Sequence, residues 1–180
     1  MVYVVIACGF SSKMQMCPTM IARLKATLEK FREGDRVIVT GAVPFGIGGP
    51  TLARLGKGWL LKKGLAPSSV SALRDGLETF SEARHVTRQL KNEKEITVVS
   101  SSWYLFNGGP IWSRRGLENG LKIKFISVPK TGGWRTKVRY GMIGTIVRIA
   151  HLLGFENMLE RRVSASQEWR RGGYKSSCCA

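Results

Sequence analysis

Apolar residues along this chain fall into two alternating rhythms. Short runs rich in β-branched residues, bounded by glycine or polar positions, predict five buried strands: Val2–Ala7, Arg36–Thr40, Val70–Leu73, Ile96–Ser100 and Ile123–Val128. Between them the spacing changes to three and four. Thr19 is placed to cap a helix reaching about Arg32, with Met20, Leu24, Leu28 and Phe31 on one face and Gly34 closing it. Thr51–Lys63 is a second helix with the stripe Leu52, Leu55, Trp59 and Leu60; Gly56 and Gly58 interrupt it at roughly 1 kcal/mol each against alanine, and Gly64 ends it. Asp75-Gly76-Leu77-Glu78 reads as a capping box opening a helix to about Leu90, with Leu77, Phe80, Ala83 and Leu90 inward. Asn107 and Pro110 are expected to open a helix to about Asn119. Val138, Met142, Ile146, Ile149 and Leu153 form the stripe of a last long helix.

Strand followed by helix, five times over, predicts a Rossmann-like three-layer α/β sandwich with a mostly parallel five-stranded sheet. The expected domain covers residues 1–158, and residues 159–180 form a basic, polar tail. In such sheets ligands bind beyond the carboxyl ends of the strands. The residues expected there are Gly9, Ser11, Ser12 and Lys13; Thr40 and Gly41; Ser100, Ser101 and Ser102; Pro129 and Lys130. They are small, hydroxylic or basic, which suits a phosphate- or carboxylate-bearing ligand at helix starts. Serine and glycine also simply fill βα loops, and that explanation stays open. Gly46-Ile47-Gly48-Gly49 lies between strand and helix but is neither GxGxxG nor a Walker loop.

Composition adds one strong feature, a formal charge of +17 over 180 residues. Such a chain attracts phosphate in nucleic acid, anionic lipid or nucleotide, and equally the charge keeps it in solution. Arg135, Lys137, Arg139 and Arg148 accompany the last stripe, and Trp134, Tyr140, Trp169 and Tyr174 could stack on bases. The alternative expectation is therefore a nucleic-acid or anionic-membrane-surface binding protein using that helix and tail. Met1–Phe10 is too short to span a bilayer and lacks a signal peptide's basic start, so a cytoplasmic protein with no transmembrane segment is expected. Cys8, Cys17, Cys178 and Cys179 have neither metal-ligand spacing nor a disulfide pattern, and no role is read for the terminal pair. His85 and His151 fall on separate helices, more in keeping with surface positions than with a metal site. With Glu78 taken by the cap, Glu82 is the remaining candidate acid, and the residue to nominate as a general base.

Several segments also share an order. The opening strand is followed by Gly9, and Arg23-Leu24-Lys25-Ala26 gives an arginine-bearing first helix. Val37–Gly41, Trp59–Pro67, Thr79-Phe80-Ser81-Glu82-Ala83 and Val99-Ser100-Ser101-Ser102-Trp103-Tyr104 follow. In order and spacing these resemble the DUF218 family, the YdcF-like and SanA-like bacterial proteins, over roughly residues 2–153. The resemblance implies a Rossmann-like fold and a small-molecule site at the strand ends, with S-adenosylmethionine as a possible cofactor and Thr79 and Glu82 at the site. The sequence departs from the family where its chemistry concentrates. Leu52 stands at an acidic position, and Leu105 and Gly108 stand where the family has His-x-x-Arg. A leucine transfers no proton and a glycine clamps no phosphate. The expectation is a domain binding a nucleotide-like or other anionic small molecule, lined by Gly9, Ser11, Ser12, Thr40, Gly41, Thr79, Glu82, Ser101 and Ser102, with catalysis in question. A third expectation is a non-catalytic scaffold whose pocket Leu52, Leu105 and Phe106 fill.

Overall fold

The computed structural model describes residues 1–8, 15–41, 50–73 and 79–129, together with Thr145, Ile149, Leu153–Phe155 and Met158. Five strands form one parallel sheet: β1 (Val2–Val5), β2 (Arg36–Thr40), β3 (Val70–Leu73), β4 (Glu95–Ser101) and β5 (Lys122–Val128). Their order is β3-β2-β1-β4-β5. The Rossmann-like expectation holds, with a sheet parallel throughout rather than mostly so. The connecting helices are α1 (Pro18–Lys30), α2 (Leu52–Lys62), α3 (Thr79–Gln89) and α4 (Ser102–Glu118).

Parallel strands covered on both faces read as continuous apolar runs, because each face needs its own set of side chains. β1 shows this. Val2, Val4 and Ile6 face one core with Phe80, Ala83, Val86, Ile96, Val98, Ile111 and Trp112. Tyr3 and Val5 face a second core with Met20, Leu24, Val37, Val39, Leu60 and Val99. α1 and α2 thus cover one face of the sheet, α3 and α4 the other.

Two helix starts differ from expectation. Cys17, not Thr19, caps α1: its Sγ accepts from the Met20 N–H at 3.4 Å, Pro18 takes the first helical position, and Thr19 is buried inside the helix. α4 begins at Ser102, directly after β4, so Pro110 lies within the helix instead of opening it. Proline has no N–H to donate to the carbonyl of the preceding turn, and the Phe106 side chain is exposed. Gly34 and Gly64 sit at positive φ of 85° and 95°, in the turns after α1 and α2. Residues 74–78, which hold the expected capping box, the loop at 46–49, Lys13, Lys130, His151, most of the expected last helix and the tail with Cys178 and Cys179 lie outside the described residues. Among the described residues no helix is long and apolar enough to cross a membrane.

Candidate functional site

In the order β3-β2-β1-β4-β5 the chain runs outward from β1 in both directions. α1 leaves β1 on one face and α4 leaves β4 on the other, which opens a crevice between the two carboxyl ends. Arg23, Ser101 and Tyr104 meet there.

Arg23 projects from the second turn of α1 beside Met20, Leu24 and Thr27, inside the buried stripe of the helix. It is 3% exposed. Nη1 donates to the Ile6 carbonyl at 2.5 Å and Nη2 to the Ser101 Oγ at 3.0 Å. The guanidinium lies 5.9 Å from the centroid of the Tyr104 ring, within reach of a cation–π interaction. Nε has no hydrogen-bond partner, nor does the buried Ser100 Oγ. Among the described residues no carboxylate lies within ion-pair distance of Arg23. A guanidinium has thus been taken out of water and satisfied in part, with no counter-ion among the described residues.

Tyr104 ties this cation to α3. Its hydroxyl donates to the Glu82 Oε2 at 3.2 Å and accepts from the Trp112 Nε1 at 3.2 Å. Thr79 also hydrogen-bonds to the phenol. Burial, reinforced by the negative charge of Glu82, drives the phenol far above its ordinary pKa, so it remains a neutral donor. Tyr104, Gly108 and Trp112 lie four apart, on one face of α4. Gly108 must be small: a Cβ there would sit 3.1 Å from both Thr79 Cγ2 and Tyr104 Cε1. The space a side chain at 108 would need is therefore occupied by Thr79 and the Tyr104 ring.

The expected lining residues divide into four groups. Ser101, Thr79 and Glu82 come together, joined through Arg23 and Tyr104, neither of which was expected to line the site. Thr40 and Gly41 stand at a strand end but serve the fold. Thr40 Oγ1 donates to the Val5 carbonyl at 3.2 Å. Gly41 has φ +134°, and a Cβ there would meet the Ala7 Cβ at 2.5 Å. Ser102 is exposed as the first residue of α4, away from its buried neighbour Ser101. Gly9, Ser11 and Ser12 lie outside the described residues. Leu52, Leu105 and Phe106 do not act together as a plug. Leu52 is buried at the start of α2, Leu105 packs against the α3/α4 core, and Phe106 is 51% exposed.

Arg23 carried a usable signal, a charge at a position where the helical stripe calls for an apolar residue. Its partner Tyr104 carried a weaker one, the spacing to Trp112. Chemically the arrangement offers one buried cation with an N–H unpaired among the described residues, one serine hydroxyl, a neutral phenol and one carboxylate. Among the described residues no group of three or more His, Cys, Asp or Glu side chains is placed to hold a metal. No family model, curated protein or solved structure matches the chain.

Proposed function

We propose that the domain binds an anionic small molecule at the carboxyl ends of β1 and β4, with Arg23 supplying the charge that holds it. The observation that carries this reading is the buried guanidinium without a counter-ion among the described residues. Burying a charge is costly unless it is paired, and an unpaired one is retained where a ligand completes it. The Arg23 Nε, which has no hydrogen-bond partner among the described residues, supplies a donor for a carboxylate or phosphate oxygen. Nucleotides and S-adenosylmethionine, which the family resemblance brings in, both carry such groups. Glu82 is the one acid in the cluster, and Tyr104 donates to it. Were the bound molecule to lose a proton here, Glu82 would be the base.

A thermal-shift screen of nucleotides and S-adenosylmethionine tests the reading. A ligand at 100 times its Kd adds about 2.7 kcal/mol of stability. The shift is expected to vanish in R23M and to change in S101A, which removes the hydroxyl that orients the guanidinium and keeps the buried charge. If no anionic ligand stabilises the protein, or if R23M responds as strongly as the parent, the reading fails.

A further inference from the structure

A helix start leaves its first backbone N–H groups without intrahelical partners, and the residue before the helix ordinarily satisfies one of them through its side chain. Ser101 holds that position for α4, and serine is among the residues that fill it best. Its hydroxyl nevertheless makes no cap hydrogen bond to α4. It accepts from the Arg23 Nη2 at 3.0 Å instead. The first turn of α4 carries no acidic residue either, so it brings no negative charge to the positive end of the helix dipole.

Two electron-deficient groups therefore share one corner of the crevice. One is the start of α4, where Trp103 and Tyr104 are the second and third helical residues. The other is the Arg23 guanidinium, whose Nε has no hydrogen-bond partner among the described residues. Arg23 is 3% exposed and Ser101 2%. Nε–H shares an edge of the planar guanidinium with an N–H of Nη2, the nitrogen that meets Ser101. The unpaired donor thus adjoins the cap position that the Ser101 hydroxyl does not serve. Elsewhere the guanidinium is enclosed: Nη1 meets the Ile6 carbonyl, and the Tyr104 ring lies 5.9 Å away. A water molecule would satisfy Nε but would leave the buried charge uncompensated.

We propose that the anionic group of the ligand caps α4, held between Arg23 Nε and the backbone amides of Trp103 and Tyr104, with Ser101 as the positioning residue that fixes the guanidinium beside them. This rests on the reading that Arg23 holds an anion, and it narrows the ligand class. A corner walled by Ile6, Ser101 and the Tyr104 ring admits a group attached through a single atom, which is a terminal carboxylate or a phosphate monoester. A phosphodiester continues on both sides and would need an open channel where these residues stand. Nucleic-acid backbones and other internal phosphates fall outside the class.

The test titrates the full chain with acetate, methyl phosphate and dimethyl phosphate at constant ionic strength, following the backbone amides and the Arg23 Nε–H by NMR. Acetate or methyl phosphate is expected to shift the Trp103 and Tyr104 amides together with the Arg23 Nε–H. Which of the two acts at lower concentration separates a carboxylate ligand from a phosphoryl one. Dimethyl phosphate should leave all three signals in place. S101D supplies a carboxylate from the chain itself at the same position. It is expected to melt above the parent without ligand and to weaken the binding probe by about tenfold or more. S101N offers a cap without a charge and should weaken it less. The amide response of the parent is read without any variant, so it holds even where S101D fails to fold. The proposal is overturned if the Arg23 Nε–H responds while the Trp103 and Tyr104 amides stay still, a result that leaves the anion reading standing without the helix. Equal binding of dimethyl phosphate, or a folded S101D that binds as the parent does, overturns it too. No response to acetate or methyl phosphate also overturns it, and the screen of nucleotides and S-adenosylmethionine then judges the anion reading separately.

Discussion

A guanidinium in the interior does not behave as a surface charge, because the dielectric around it no longer screens what it touches. Arg23 therefore fixes its neighbours, and Tyr104 is the one that spreads the constraint across the crevice to Glu82 and Trp112. Y104F tests how tightly the cluster is built. It leaves the ring over Arg23 but strands the Trp112 N–H, which is wholly buried. The expected cost is about 1–3 kcal/mol in urea unfolding, the penalty of an unsatisfied buried donor. A cost near zero would mean that the phenol contacts are incidental. Asp35 makes a different, pH-dependent contribution. Burial opposes its ionisation, but the Met1 ammonium at 2.7 Å and the Arg32 N–H at 2.9 Å outweigh that and hold the carboxyl below its ordinary pKa. A group with a depressed folded-state pKa stabilises the fold above its unfolded value of about 3.9 and loses that contribution as the pH falls through the folded value. D35N should thus be less stable than the parent at pH 6, with the gap closing as the pH drops below about 4. A gap of constant size would assign the effect to something other than ionisation.

At the scale of elements, α2 separates what pattern can say from what it cannot. Gly56 and Gly58 look alike in sequence, two helix-weakening residues in one helix. Structurally they are opposites. A Cβ at Gly56 would stand 2.7 Å from Val39 Cγ1 and 3.0 Å from Met20 Cε, whereas one at Gly58 meets nothing within 4 Å. G58A is expected to stabilise the protein by about 0.5–1 kcal/mol through helix propensity. G56A should instead destabilise it by about 1–3 kcal/mol through overpacking of α2 on β2. Two stabilising substitutions, or two neutral ones, would contradict this packing. The strands and their order of succession were readable because a parallel strand covered on both faces is a short unbroken apolar run. The starts of α1 and α4 were misplaced because Thr19 and Asn107 resemble caps, while the real starts follow from Pro18 and from a helix that opens directly off β4. The site was half legible. Ser101 follows from its strand end and Glu82 from being the acid left over, whereas Thr79 enters only through the family resemblance, and Arg23, though its charge breaks the apolar stripe of α1, gains its role only when that helix is set against β1 and β4.

For the molecule as a whole, the governing fact is 29 lysines and arginines against 12 carboxylates. Two described acids are already shared. Glu118 pairs with Arg114 and Arg115, and Glu95 with Lys122 and Lys124. Added cations then find repulsion sooner than partners, and a compact state of high net charge is destabilised by that repulsion. Salt relieves it, because exposed charges farther apart than about 10 Å are largely screened at 0.1 M. The melting temperature is therefore expected to rise between 20 and 300 mM sodium chloride. A relief of about 1 kcal/mol corresponds to roughly 2–4 °C for a chain of this size. A melting temperature that is flat or falling over this range would show that the excess charge is already compensated within the fold.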